Sequence, residues 1–451
     1  MTSPVGPPKQ EKGELNAFDI GCVVVGGIIG VGIFFTPARV AAAVASPEQV
    51  ILAWSLGGLL AVLGALVFAE LVTLVPGHGG MFRYIHAAFG RLPAFLYGWA
   101  NWLVIQAGAL GVVALILVDN LEVALGLESQ WSPLGKVWLA AGFMLLFTAT
   151  NVLGLHTGKR VQNVLTVLKV AALCFLVSLA CMAPTRPPEP APPARDDSLL
   201  AMLAMAILPV LFAIGGWQQG SFLAGAAARP RRDMPLGILG GVAVVLITYI
   251  TVNLAYLSLL GFAAASASTK IGADAATVAL GAHGGRVLAA MVVVSAAGIM
   301  NTICMAPPYV LYAMAKEGLF PAAFGRLHPR FHTPLLGVLG QGLWAVVLLL
   351  LVHFVFASGS TLGTLAFVCD GVVFVDWLFF ALCGAALLRL RGTRPDALRV
   401  PGGAIIAVVF TGLAALVTIG AVWQQWQASL AGLAMVLVGV PFAIVRMHKN
   451  A

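Results

Sequence analysis

The chain has 451 residues, of which 60% are hydrophobic and only 9% are charged, and its mean hydropathy is +0.99. Soluble domains carry about a quarter of charged residues, and a chain of this length cannot hide so much apolar surface in one water-soluble core. The composition therefore excludes a water-soluble enzyme, a nucleic-acid-binding protein and a disordered protein. The net charge of +8, from 25 basic and 17 acidic residues, then raises the question of where the basic residues lie relative to a bilayer.

Apolar runs long enough to cross a membrane recur along the whole chain, since a spanning helix needs about 20 mostly apolar residues. One such run could be a buried helix of a large soluble protein, but twelve in series, with the charges in the gaps, predict an all-α integral membrane protein. The predicted runs are 17–38, 48–73, 93–118, 134–154, 162–182, 198–225, 235–260, 286–313, 335–356, 362–388, 402–422 and 429–446.

The distribution of basic residues predicts the orientation of these runs. With twelve spans, both termini lie on the same side of the membrane, and placing them in the cytoplasm puts 18 of the 25 lysines and arginines on the inner side. Six lie on the outer side, and Lys169 alone lies inside a span. The sequence thus predicts a multi-pass protein of the cell inner (plasma) membrane with both termini cytoplasmic.

Sequence motifs for catalysis or cofactor binding are not found. The chain has no CxxC, no metal-ligand cluster, no HExxH, no Walker loop and no G-x-S-x-G, so neither an enzyme nor a cofactor is expected. All six cysteines lie in predicted spans, which argues against a disulfide-linked ancillary subunit. The expected partners are the lipid bilayer and a small molecule, and not nucleic acid.

The first apolar run contains four glycines in seven residues, Gly26, Gly27, Gly30 and Gly32. In a helix each glycine costs about 1 kcal/mol relative to alanine. Close helix packing would explain them. A helix broken at mid-membrane would explain them equally well, because it frees N–H groups to bind an anion and is tolerated where it lines a cavity.

The sixth apolar run carries a similar set of interruptions. It combines Pro209 with the glycine pair Gly215 and Gly216 and with the polar pair Gln218 and Gln219. Paired interrupted segments in corresponding positions of two halves point to a transporter site. The shift of five spans between them fits two inverted five-helix repeats, and the pairing favours transport over simple packing.

Six stretches of the chain, in order, resemble signature segments of the amino acid–polyamine–organocation (APC) superfamily, and in particular of its bacterial L-type amino-acid transporter branch. Residues 30–34 (GVGIF) resemble the GSGIF signature, and residues 212–217 (FAIGGW) resemble the FAYxGW motif. The remaining similar stretches are 68–90, 228–235, 306–321 and 374–380.

The resemblance implies a LeuT-like fold with helices 1 and 6 broken. It implies a single membrane domain over 1–451, in which 17–182 and 198–388 are inverted repeats and 402–446 forms two peripheral helices. An amino acid would lie between the broken helices, its carboxylate on the N–H groups of one and its ammonium on carbonyl groups of both. The implied carboxylate-binding residues are Gly30, Val31 and Gly32, and the residues whose carbonyl groups would accept from the ammonium are Ile28, Phe212, Ala213 and Gly215.

Two departures from the family pattern bear on the substrate. Val31 replaces the usual serine of GSGIF, and Ile214 replaces the usual tyrosine of FAYxGW. Gly215 stands where some relatives with cationic substrates carry an acid. Together these residues favour a neutral amino acid.

Lys169 lies seven or more residues from either predicted end of its span. A charge at this depth is costly and marks a functional residue by default, and its stem cannot comfortably reach an interface. Its position resembles a lysine of sodium-independent family members, which implies that the ammonium replaces a sodium ion and bonds the Gly30 carbonyl and the Ser295 hydroxyl. Since a buried lysine can also give up its proton, sodium-independent exchange and proton-coupled symport both stay open.

Three acidic residues inside or near spans are harder to interpret. Glu70 is expected to be structural at the inner end of the second span, and Asp376 to bond neighbouring backbone, while Asp370 matches nothing in the family.

A membrane amino-acid sensor that does not transport is the alternative from another class, although no loop is large enough for a signalling domain.

Overall fold

The computed structural model describes residues 13–183, 198–356, 361–424 and 426–448. Within these ranges the secondary structure is helical, and the one β-type contact is an isolated parallel bridge between Leu15 and Ala227. The twenty α-helices in chain order are α1 (Ala17–Ile28), α2 (Thr36–Ala43), α3 (Pro47–Leu74), α4 (Met81–Phe89), α5 (Arg91–Ala100), α6 (Ala107–Ala124), α7 (Pro133–Val152), α8 (Leu155–Met182), α9 (Leu199–Ile214), α10 (Gln219–Phe222), α11 (Pro230–Leu260), α12 (Phe262–Ala267), α13 (Ile271–Leu280), α14 (Gly284–Met305), α15 (Pro308–Lys316), α16 (Leu335–Leu351), α17 (Thr361–Leu390), α18 (Gly403–Gln424), α19 (Trp426–Leu437) and α20 (Gly439–His448).

Ten helical segments of the described residues are long and apolar enough to cross a membrane. Each overlaps one of the predicted runs, so an all-helical, multi-pass membrane protein is confirmed. The other two predicted runs lie on α1 with α2 and on α17. The ten segments are Pro47–Leu74, Arg91–Ala124, Pro133–Val152, Leu155–Met182, Leu199–Phe222, Pro230–Leu260, Ile271–Lys316, Leu335–Val355, Gly403–Gln424 and Trp426–Met447.

Two helices end inside the bundle on glycine-rich segments. Helix α1 ends at Ile28, and residues 29–35, here called the first junction, contain one 3-10 turn before α2 begins at Thr36. Helix α9 ends at Ile214, and residues 215–218, the second junction, form a turn before α10. Gly216 in that turn has a φ of +121°, which favours glycine over other residues.

The start of α1 is fixed by local and long-range bonds. A capping box pairs Asn16 with Asp19, each side chain accepting the other residue's N–H at 3.0 Å. The Leu15 backbone bonds the main chain of Ala226 at 3.0 Å and of Ala228 at 2.7 Å. The segment before α1 is thus joined to the segment that follows α10.

Helix α8 packs one stripe of side chains against the bundle. The stripe follows the 3.6-residue period of a helix, and its middle is polar, with Gln162, Thr166 and Lys169 where apolar residues would be expected. Because polar groups in a membrane must find partners inside the protein, this stripe locates the polar interior of the fold. The buried residues of α8 are Leu155, Gly158, Gln162, Thr166, Lys169, Leu173, Leu176 and Ala180.

Candidate functional site

The C-terminal end of α1 is capped by side chains from other helices. The last carbonyl groups of a helix have no intrahelical donor, and here the Lys169 ammonium supplies one. It donates to the Gly26 carbonyl at 3.1 Å and to the Ile29 carbonyl at 2.7 Å, and also to the Ser295 carbonyl at 3.1 Å. An ammonium has three N–H donors, so all three are used and the charge is enclosed by carbonyl dipoles.

The acceptors of Lys169 differ from those that the family resemblance implied. The lysine bonds Gly26 and Ile29 rather than the Gly30 carbonyl, because α1 ends at Ile28 and its last carbonyls point towards α8. It bonds the main-chain carbonyl of Ser295, whereas the Ser295 hydroxyl donates separately to the Ile29 carbonyl at 3.2 Å. Lys169 and Ser295 are nevertheless neighbours, with 1% and 0% of their surface exposed.

A tyrosine of α11 joins the ends of α1 and α9. The Tyr249 hydroxyl lies 3.0 Å from the Ile28 carbonyl and 3.2 Å from the Ala213 carbonyl. Because each carbonyl oxygen has two lone pairs, each can accept from a further donor besides this hydroxyl. Tyr249 is itself buried, and its ring packs edge-on against Trp54 with centroids 5.5 Å apart.

The two junctions approach each other through glycines. A Cβ atom built on Gly216 would lie 2.4 Å from the Gly27 carbonyl oxygen, and one on Gly32 would lie 3.3 Å from Ala213. Any side chain at Gly216 would therefore displace the main chain of α1. Close packing, one of the two explanations that the sequence left open for the glycines, is therefore present at Gly216 and Gly32.

The other predicted site residues differ in their exposure and in the helix that they face. Gly30 faces α14, since a Cβ atom there would lie 2.2 Å from the Ile299 Cδ1 atom. Val31 and Gly215 are partly exposed and Phe212 is 51% exposed, whereas the Ile214 side chain is buried. The structure therefore brings together Ile28, Gly32, Ala213 and the glycine pair, while Lys169 and Ser295 lie on the scaffold side of the same helix end.

Sequence reasoning missed Tyr249 because a single tyrosine in an apolar span resembles ordinary packing. The signal that could have found it is the polar content of residues 248–253, Thr-Tyr-Ile-Thr-Val-Asn, within an otherwise apolar helix. Three of these polar side chains, Thr248, Thr251 and Asn253, bond carbonyl groups of their own helix. The Tyr249 hydroxyl, by contrast, reaches carbonyl groups at the ends of two other helices.

The acidic residues fall outside this cluster. Glu70 is 1% exposed and pairs with Arg391 at 2.8 Å, and its other oxygen accepts the Val400 N–H at 3.0 Å. Its contacts fit a structural role, since they tie the C-terminal end of α3 to the segment between α17 and α18. Asp376 is partly buried on α17, and the side chain of Asp370 lies outside the described residues.

A buried contact between two helix ends, inside a bundle of candidate spans, is the architecture of a multi-pass membrane protein. The family model for amino acid permeases matches residues 15–445, and the chain belongs to this family of the APC superfamily. The resemblance predicted from the six sequence stretches is thus confirmed.

Individual relatives cover most of the chain at modest identity. The b(0,+)-type amino acid transporter 1 of Rattus norvegicus is 26% identical over 441 residues, which are 95% of this chain and 86% of the relative. The serine/threonine exchanger SteT of Bacillus subtilis is 29% identical over 391 residues, or 85% and 84% of the two chains. The large neutral amino acids transporter small subunit 2 of Oryctolagus cuniculus is 27% identical over 444 residues, or 96% and 79%.

Proposed function

We propose that the protein is a secondary transporter that exchanges a neutral L-amino acid across the cell inner membrane, between two broken helices. The observation that carries this proposal is the meeting of the α1 and α9 ends, where the Ile28 and Ala213 carbonyls lie on one tyrosine hydroxyl. Family membership and relatives whose names describe amino-acid transporters and an exchanger support the same function. The chain acts as a transporter and not as an enzyme.

Recognition uses the groups that every amino acid shares. The carboxylate binds N–H groups of the first junction at Gly30, Val31 and Gly32, because N–H groups at the start of a helical turn have no intrahelical acceptor. The ammonium binds carbonyl groups at the two helix ends, which carry partial negative charge. Its carbonyl partners are those of Ile28, Phe212, Ala213 and Gly215.

The pocket wall favours a neutral side chain. Val31 and Ile299 provide partly exposed apolar surface near the junctions, and the second junction carries no acidic residue in positions 215–218. A cationic side chain placed there would lose its hydration without gaining a counter-charge. Neutral amino acids therefore bind in preference to arginine or lysine.

Transport is sodium-independent because Lys169 occupies the position of a bound cation. Its ammonium contacts three carbonyl groups of α1 and α14, which is the environment that an ion between these helices would need. The same burial supports the alternative of proton-coupled symport, since an enclosed lysine can release a proton when its acceptors move away.

The remaining architecture follows the LeuT-like pattern. Twelve helices cross the membrane, α1 with α2 and α17 being the two beyond the ten long apolar segments. Residues 17–182 and 198–388 are the inverted repeats of a single domain, and 402–446 forms two peripheral helices. Both termini are cytoplasmic, and no disulfide-linked ancillary subunit is required.

Substrate counterflow in proteoliposomes tests this function. Vesicles loaded with one unlabelled amino acid at a time accumulate the labelled form of a neutral amino acid in sodium-free buffer, at two pH values. Greater uptake of arginine than of alanine or leucine would contradict neutral selectivity, and net uptake that needs a pH gradient would favour proton symport. Saturable binding without counterflow for any amino acid would favour a sensor.

A further inference from the structure

The cytoplasmic half of α1 is attached to the scaffold helix α8 at three successive levels. At the start of α1, Asp19 accepts from Asn163 at 2.7 Å and from Lys159 at 3.2 Å. At its end lies the Lys169 contact with Gly26 described above. Between these two charged levels, the Cys22 carbonyl accepts from Thr166 at 3.0 Å and from Gln162 at 3.3 Å. This middle level contains only neutral groups.

Gln162 is completely buried and connects four helices. Its amide nitrogen bonds Cys22 of α1 and Thr166 of its own helix, while its amide oxygen accepts from Asn301 of α14 at 2.8 Å. Asn301 in turn accepts from Asn151 of α7 at 3.0 Å. The network therefore joins α1 to three scaffold helices through one glutamine.

The bond between Gln162 and Cys22 can open while both of its groups keep another hydrogen-bond partner. In an α-helix the Cys22 carbonyl also accepts the Gly26 N–H, so it stays satisfied when Gln162 leaves. Gln162 keeps its bonds to Thr166 and Asn301. Lys169 differs, because separation there would take a buried ammonium away from the Gly26 and Ile29 carbonyls, and an unpaired buried charge is costly.

The close approach of α1 and α8 depends on Gly26 at the same level. A Cβ atom on Gly26 would lie 1.7 Å from the Gln162 amide nitrogen and 3.0 Å from the Thr166 hydroxyl. The glutamine amide thus lies flat against the α1 backbone. The contact between Gln162 and Gly26 therefore exists only while α1 is packed against α8.

We propose that Gln162 is a positioning residue for transport, which with Thr166 holds the cytoplasmic half of α1 on the scaffold and releases it when the inner side of the site opens. This inference rests on the proposed transport function. In this proposal the contact of Gln162 and Thr166 with Cys22 is the one that opens. The contact of Lys169 with α1, at mid-membrane, stays closed. The contact of Asp19 with α8 lies near the predicted cytoplasmic surface. Gln162 contacts none of the proposed substrate-binding residues in the bonds described, so its effect falls on the conformational step.

The native Cys22 thiol provides a direct readout. It is 4% exposed in this conformation, and movement of α1 away from α8 uncovers it. The full chain in proteoliposomes is treated with a membrane-permeant maleimide, and labelling of Cys22 and of the buried Cys304 is followed by mass spectrometry. Gln162→Met removes one interhelical hydrogen bond to α1, and such a bond is worth about 0.6 kcal/mol in a membrane protein, so Cys22 labels roughly threefold faster than in the unmodified chain.

Matched variants separate this role from general loosening. Gln341→Met removes another buried glutamine, on α16, whose amide nitrogen has no hydrogen-bond partner among the described residues. It leaves the Cys22 labelling rate unchanged, and Cys304 labels equally slowly in all variants. If Gln162→Met does not fold, Thr166→Val tests the same level of the contact and gives the same acceleration at Cys22.

Counterflow supplies the second readout. In Gln162→Met the maximal exchange rate changes severalfold, while the KM for the amino acid changes less. Cys22 labelling within twofold of the unmodified chain in both Gln162→Met and Thr166→Val overturns the proposal, as does equal acceleration in Gln341→Met. Labelling needs no substrate, so it reports on the role of Gln162 even if no amino acid supports counterflow. Failure of counterflow with every amino acid would overturn the proposed function and not the role of Gln162.

Discussion

The two junctions are held in different ways. The first junction depends on side chains from distant helices, with Lys169, Ser295 and Tyr249 all donating to carbonyls of residues 26–29. The second is held mainly by its own residues and by an aromatic cluster. The Gly216 N–H donates to the Gln218 side chain at 3.1 Å, and the Trp217 ring lies 4.9 Å from Phe68 and 4.7 Å from Phe380.

This difference indicates how each helix end can move. A helix end held by long-range polar bonds can change partners as neighbouring helices shift, so its position reports the state of the scaffold. A turn held by local bonds and aromatic packing moves as a unit. We therefore expect polar substitutions to disturb the first junction, and changes in side-chain volume to disturb the second.

The largest effect is expected from Lys169→Met, which breaks the first junction. The substitution removes three hydrogen bonds from a buried ammonium, and a hydrogen bond to a charged group is worth about 1.5–3 kcal/mol. Exchange measured by counterflow should fall by at least about 100-fold, since each 1.4 kcal/mol corresponds to a factor of ten. Lys136→Met is the control, because Lys136 pairs with Asp119 and Glu122 far from the junctions along the chain. A fully active Lys169→Met protein would contradict the role of the lysine.

Trp217→Ala is expected to break the second junction through packing. The Trp217 side chain is 2% exposed, and removal of a buried aromatic side chain costs about 3–5 kcal/mol. The melting temperature of the purified protein in detergent should fall clearly, whereas Trp217→Phe should recover most of the loss because it restores ring contacts. If both variants melt alike, the aromatic cluster does not hold this junction.

The comparison also shows what the sequence could predict. Hydropathy located the ten long apolar segments of the described residues, because the length of a membrane span leaves a local signal. The glycine-rich stretches and Lys169 could be singled out as candidates for the same reason, since glycines and a charge in an apolar run are visible without a structure, and their roles stay predictions.

The partners of these residues could not be predicted in the same way. The acceptors of Lys169 depend on the residue at which α1 ends, and a difference of one residue there moves a carbonyl to another side of the helix. Tyr249 was missed because its role depends on which face of α11 meets the helix ends. Residues close in space but 221 positions apart, such as Ile28 and Tyr249, leave no local pattern in one sequence.

Tyr249→Phe is expected to weaken the link between the two junctions by a smaller amount. It removes one buried hydroxyl that serves two carbonyls, at about 1–2 kcal/mol. The matched control is Tyr256→Phe on the same helix, since the Tyr256 hydroxyl is buried and has no hydrogen-bond partner among the described residues. The KM for counterflow should rise about tenfold in Tyr249→Phe and stay unchanged in Tyr256→Phe. Equal KM values would show that the hydroxyl does not organise the site.

The smallest effect is expected at the local bond of the second junction. Gln218→Leu removes the acceptor of the Gly216 N–H, at about 1 kcal/mol, so the KM should rise about fivefold. Gln219→Leu is the neighbouring control, because the Gln219 side-chain oxygen is buried and has no hydrogen-bond partner among the described residues. A larger effect from Gln219→Leu than from Gln218→Leu would mean that the turn is not held by its own side chain. The distinction between a locally held and a remotely held junction would then fail, because the second junction would depend on contacts with α1 as the first depends on α8, α11 and α14.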